Sequence, residues 1–186
     1  MKRVLSVFLL VFCLTGCSNH DVNLNKAVAF RESVISAEKC SFIATVTADY
    51  VSESYTFKMK CESDAQGNVN FTVLEPESID GITGQISNEG GKLTFDDKYL
   101  VFAPLVDGQI TPVSAPWLFL KTLKSGYISG CAKEKETSKI YFDDIYQDEK
   151  LTLITEIDNN NIPYSAEIYF NGRRTVTMLV ENFTIM

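Results

Sequence analysis

From Phe42 onward the chain alternates. Phe42, Ala44, Val46 and Ala48 are separated by Ile43, Thr45 and Thr47. After a break, Tyr55, Phe57, Met59 and Cys61 are separated by Thr56, Lys58 and Lys60. A period of two places successive side chains on opposite faces of an extended strand, so these segments predict a hairpin with one apolar and one largely polar face. The pattern recurs at short intervals, over 69–74, 81–87, 92–95, 98–103, 127–134, 140–146, 151–157, 164–170 and 174–185. Gln66-Gly67-Asn68, Asn88-Glu89-Gly90-Gly91, Asp96-Asp97, Asp158-Asn159-Asn160-Asn161 and Asn171-Gly172 punctuate it, the last favouring a type I′ turn. The spacing therefore predicts about eleven strands in a continuous antiparallel meander, with no βαβ alternation. A length of 186 residues suits one domain, mainly β in an α+β arrangement.

Two segments depart from period two. Ala27, Phe30 and Val34 recur at helical spacing, predicting a short amphipathic helix over Ala27–Glu38. Between Thr111 and Lys124, Pro112 and Ser114 open a second helix, Lys121 and Lys124 fall in its last turn, and Gly126 can end it. Trp117, Leu118, Leu120 and Leu123 are its apolar positions. They fit burial against the concave face of a curved sheet, or a lid over a cavity that admits an acyl chain.

The N-terminus reads as an address. Lys2 and Arg3 precede Val4–Leu14, an apolar run broken only by Ser6 and too short to span a bilayer. Leu14-Thr15-Gly16-Cys17 resembles the lipobox of bacterial lipoproteins, in which the cysteine thiol receives a diacylglyceryl group and cleavage precedes it. The resemblance implies a signal peptide over 1–16, a lipidated Cys17 and a flexible polar tether over 17–26, followed by a domain over 27–186. It implies anchoring to the extracytoplasmic face of the cell membrane through Cys17. Residues 1–16 hold Lys2 and Arg3 and no acid, so from Cys17 onward 15 basic residues face 24 acidic ones, a net of −9. That balance argues against nucleic acid as a partner.

Catalytic chemistry has little to work with. The chain holds one histidine, His20, inside the tether segment. No base is left in the domain for a serine or cysteine nucleophile, and Ser125-Gly126-Tyr127 and Ser129-Gly130-Cys131 lack the G-x-S-x-G frame. Asp96-Asp97, Asp143-Asp144 and Asp148-Glu149 sit at expected turns or strand ends, where solvated carboxylates are ordinary. No enzyme activity, metal site or cofactor is expected. Cys40 and Cys61 share strand parity, and a register pairing Phe42 with Met59 would set them opposite each other, within reach of a disulfide. A Cys61–Cys131 bridge and three buried free thiols are the alternatives.

The lipobox, the antiparallel meander, the helix following Ile110-Thr111-Pro112-Val113-Ser114 and the closing hairpin together resemble the LolA-like lipoprotein carriers. Pro76-Glu77-Ser78-Ile79-Asp80-Gly81-Ile82 and Glu181-Asn182-Phe183 are similar to segments that recur among anchored members. The resemblance covers residues 27–186 and implies a strongly curved antiparallel sheet, an incomplete β-barrel, with one or two helices on its concave face. It implies a lipid or a lipoprotein acyl chain bound in an apolar cavity, with Trp117, Leu118, Leu120 and Leu123 as lid or cavity candidates. The alternative is a non-catalytic docking module that recruits or regulates a cell-envelope or sporulation enzyme. No residue-level ligand contacts transfer, because no short signature fixes them.

Overall fold

The computed structural model describes residues 19–50 and 53–186. The expected signal peptide, the lipobox and Cys17 lie outside them. Helix α1 (Asn19–Ser36) leads into β1 (Cys40–Tyr50) and β2 (Glu53–Ser63). The chain then makes β3 (Val69–Glu75), β4 (Thr83–Ser87), β5 (Gly90–Phe95) and β6 (Lys98–Phe102). A small hairpin, β7 (Leu105–Val106) and β8 (Gln109–Ile110), a 3-10 turn (Pro112–Ser114) and helix α2 (Ala115–Ser125) follow. Five strands complete the chain: β9 (Tyr127–Glu134), β10 (Thr137–Tyr146), β11 (Glu149–Ile157), β12 (Pro163–Phe170) and β13 (Arg173–Ile185).

Eleven of these strands form one antiparallel sheet in the order β6-β5-β4-β3-β2-β1-β13-β12-β11-β10-β9. The expected meander is thus two meanders, joined where the first strand pairs with the last. Ala44 lies opposite Val180 and Val46 opposite Met178 at that junction. The two edges, β6 and β9, do not pair with each other, so the sheet is open. Among the strands of this sheet they follow one another in the chain, however, and the stretch from 103 to 126 crosses from one edge to the other. The short way lies over the concave face, and α2 is laid there by that necessity.

Tight turns have the backbone their residues favour. Asn171 and Gly172 both have positive φ, 52° and 76°, the left-handed pair that a type I′ turn requires. Asp96 and Asp97, at φ 45° and 60°, close the β5–β6 turn in the same way.

Helix α1 starts at Asn19, inside the segment expected as tether, and ends at Ser36. Its Ala27, Phe30 and Val34 are buried, and the Lys26 ammonium donates to the Asp158 carbonyl at 2.9 Å. The hairpin register also differs from expectation. Cys61 lies opposite Phe42, and Met59 opposite Ala44, a slip of two residues. Cys40 therefore does not face Cys61; its backbone N–H donates to Ser63 Oγ at 2.9 Å. Residues diagonal by two positions are too far apart for a disulfide, and Cys40, Cys61 and Cys131 are all free thiols.

Candidate functional site

The concave face is where the sequence placed its candidates. Its lining is read directly from the register. Phe42, Cys61, Phe71 and Gly84 form one cross-strand row, and Ala44, Met59 and Val73 form the next. On the other wing, Val176, Ile168, Leu153 and Phe142 continue the surface. All but Gly84 are buried.

Helix α2 fills the centre. Trp117, Leu118, Leu120 and Leu123 are each 0–3% exposed, as are Ala115 and Phe119. A helix apolar almost all round belongs inside a structure, and only Lys121, Lys124 and Ser125 of α2 escape full burial. Its anchors are aromatic. Trp117 meets Tyr146 of β10 edge-to-face, with centroids 5.9 Å apart. Phe119 meets Phe42 of β1 at 5.9 Å and Phe183 of β13 at 6.4 Å, both edge-to-face. Phe119 was missed in the sequence reading, although its spacing of four from Ala115 and Leu123 marks the same buried stripe.

One polar latch ties α2 to the sheet. The Lys121 ammonium lies 2.8 Å from Asp144 Oδ2, and Ser125 Oγ donates to that same oxygen at 2.8 Å. Burial alone would raise the Asp144 carboxyl, but these hydrogen bonds outweigh it and hold the group below its ordinary range. Asp144 is therefore no solvated turn residue: β10 runs on to Tyr146, and Asp144 stands within it. Its neighbour Asp143 is similarly held, by Thr152 at 2.6 Å and Lys150 at 3.0 Å. At the same end of α2, Arg31 of α1 donates to the Lys124 carbonyl at 3.1 Å.

The apolar lining does not stop where the core stops. Gly84 lies opposite Leu93, and Leu93 opposite Leu100, so these residues continue the row of Phe71 across β4, β5 and β6. Leu93 is half-buried, Leu100 is 63% exposed, and Phe95 beside it is 58% exposed. An apolar track thus runs from the packed interior to an exposed rim. The other face of β6 is apolar too: Tyr99 and Val101 are each 68% exposed. A cavity of about 340 Å³ opens near this rim, where Val101, Phe102 and Pro104 approach Tyr146 and Gln147.

Reactive groups are not gathered there. Burial pushes the Cys61 thiol up strongly, and it also raises Cys40 against the smaller opposing effects of Lys124 and Ser63. Thiols so held are poor nucleophiles. Among the described residues, no group of three or more His, Cys, Asp or Glu side chains converges as a metal site. Among the same residues, no helix is long and apolar enough to cross a membrane.

Comparison with known proteins finds resemblance in solved structures alone. No family model matches the chain, and no curated protein matches it. A LolA superfamily protein from Nitrosomonas europaea is similar over 86% of this chain and 93% of its own, with TM-score 0.45 and 9% identity. An uncharacterised conserved protein from Thermus thermophilus is similar over 88% of this chain and 87% of its own, with TM-score 0.47 and 13% identity. The lipoprotein LppX of Mycobacterium tuberculosis is similar over 87% of this chain and 93% of its own, with TM-score 0.41 and 10% identity.

Proposed function

We propose that this protein is a non-catalytic, lipid-anchored extracytoplasmic protein that takes an acyl chain onto its concave apolar face. One observation carries the reading: the apolar row that begins in the core at Phe71 emerges through Leu93 to the exposed Leu100 at the rim. Such a track offers a chain of methylenes a continuous path off water, at about 0.8 kcal/mol for each one buried. Helix α2 is the element to be displaced. It is held mainly by non-directional apolar packing, which a bound chain can replace, and by the single Lys121–Asp144–Ser125 latch. The lipobox supports the address, with Cys17 as the acylated residue.

Two experiments test this. Cys17→Ala should leave the protein unprocessed or release it from the membrane fraction; a processed variant that still sediments with membranes would refute the anchor. The same variant, free of its own acyl groups, should carry phospholipid or fatty acid in native mass spectrometry. Leu100→Glu should lower that occupancy without lowering the melting temperature, because Leu100 is exposed. Clean apo protein after incubation with phospholipid vesicles would refute the acyl-chain reading.

A second reading, a docking module for an envelope protein, is favoured by the opposite face of β6. A strand apolar on both faces, with a free backbone edge, suits strand addition by a protein partner. Tyr99→Ser and Val101→Ser would weaken such a partner and leave lipid occupancy intact.

A further inference from the structure

Helix α1 is longer than its apolar periodicity indicated, and the extra length lies on the side of the lipobox. It starts at Asn19, two residues after Cys17. Two residues of chain reach at most about 7 Å. An acyl group on Cys17 therefore brings the first turn of α1 to the bilayer surface and leaves no slack for the domain to stand away from it. One side of the helix has to face that surface.

The apolar side of α1 is wider than the part the core covers. Ala27, Phe30, Val34 and Ala37 are buried against the interior. Leu24, Val28 and Ile35 are apolar too, yet they stay 38%, 39% and 50% exposed. At about 3.6 residues per turn, intervals of four and seven keep these three within about 40° of one another. They form a second stripe beside the buried one, about 17 Å long. The remaining position on that stripe, between Val28 and Ile35, is Arg31. Its Nη2 donates to the Lys124 carbonyl at 3.1 Å, which sets the last turn of α2 beside the stripe. Among the described residues, neither Arg31 nor Lys124 forms an ion pair with a carboxylate.

Charge agrees with a lipid surface as the occupant. From Cys17 onward the chain is strongly acidic, but residues 19–39 are not: Lys26, Arg31 and Lys39 balance Asp21, Glu32 and Glu38. The acidic excess lies in the rest of the domain, so α1 is the surface that an anionic leaflet repels least. An apolar stripe flanked by cations is also the pattern of a helix lying in the plane of the interface. We propose that α1 rests along the membrane, with Leu24, Val28 and Ile35 seated at the boundary of headgroups and acyl chains and Arg31 and Lys124 at the level of the phosphates. The proposal rests on acylation of Cys17 and goes further, because it fixes which side of the domain faces the bilayer.

The test uses the processed chain, purified with its own anchor and reconstituted into vesicles of phosphatidylglycerol and phosphatidylethanolamine with brominated acyl chains. Bromine quenches a tryptophan it touches, and the single native one, Trp117, gives the same background in every variant. Val28→Trp and Ile35→Trp, both at exposed positions, should each lose about half of the added emission, because such a face sits about 5–10 Å into the interface. Ser33→Trp, exposed on the side of α1 away from the stripe, should lose none. Equal quenching at 28, 33 and 35, or none at any of them, would overturn the proposal. Unquenched emission from a chain that sediments as a dimer would assign the stripe to a second copy and overturn it as well. The mass of the Cys17 peptide separates this proposal from the anchor it rests on: a diacylglyceryl group without quenching refutes the helix contact alone, and an unmodified Cys17 refutes both.

Discussion

Asp144 shows how one side chain can bind an interior helix to a sheet. Its carboxyl is 16% exposed and accepts from Lys121, Ser125 and the backbone N–H of Ile145. Because its folded value lies below the ordinary carboxyl range, the ion pair stabilises the fold above about pH 4. That contribution is lost as the pH falls through the lowered value. Lys121→Met should therefore destabilise by about 1 kcal/mol at neutral pH, after allowance for solvent screening. It should also flatten the acid limb of a stability-versus-pH curve, measured by denaturant unfolding; an unchanged limb would show that the latch contributes nothing. Trp117→Ala acts by a different route. It opens a cavity under Tyr146 and should cost about 3–5 kcal/mol. The cysteines give a third test: alkylation of unfolded, non-reduced protein should modify Cys40, Cys61 and Cys131 alike, and a blocked Cys40–Cys61 pair would overturn the β1–β2 register.

Strand β4 is thin for a reason that only its neighbours reveal. A Cβ on Gly84 would stand 2.3 Å from Phe71 Cζ and 2.8 Å from the Lys92 carbonyl oxygen. The phenyl ring of Phe71 lies over the bare backbone, and a backbone carbonyl blocks the other route of relief. Gly91 is covered in the same way by the ring of Phe102, 2.2 Å from its would-be Cβ. Glycines covered by cross-strand aromatics let β4 and β5 bury apolar rings without a side chain of their own. Gly84→Ala should cost about 1–3 kcal/mol, measured as a shift in denaturant midpoint. Much of that should be recovered by Phe71→Leu in the same chain, since the clash is with the ring; no recovery would place the strain in the Lys92 backbone contact.

The whole sheet depends on one long-range pairing. β1 and β13 are the first and last strands, yet they lie side by side between the two wings. Lys39 and Met186 exchange backbone hydrogen bonds of 3.0 and 2.9 Å at the end of that seam. Local hairpins can form each wing, but only closure over nearly the full chain length joins them. Removing residues 173–186 should consequently abolish cooperative unfolding rather than trim stability, because β12 and β1 both lose their partner. A truncated chain that melts in a single transition near the native temperature would contradict this.

Alternation and turn chemistry determined much of this protein before any tertiary contact. The positions of the eleven sheet strands, the Asn171-Gly172 turn, the helix over Ala115–Ser125 and the inward residues Trp117, Leu118, Leu120 and Leu123 were all legible, because each follows from periods of two or 3.6 and from local backbone preference. Parity is likewise local, and it assigned Cys40 and Cys61 to one face correctly. Register is not. A slip of two residues preserves every face, so the pattern cannot distinguish Cys61 opposite Cys40 from Cys61 opposite Phe42; cross-strand packing alone decides. That β13 is a neighbour of β1 was hidden too, because the two strands lie at opposite ends of the chain. An alternating pattern states which side of a sheet a residue occupies. Which residue stands beside it is settled only when the chain's two ends meet.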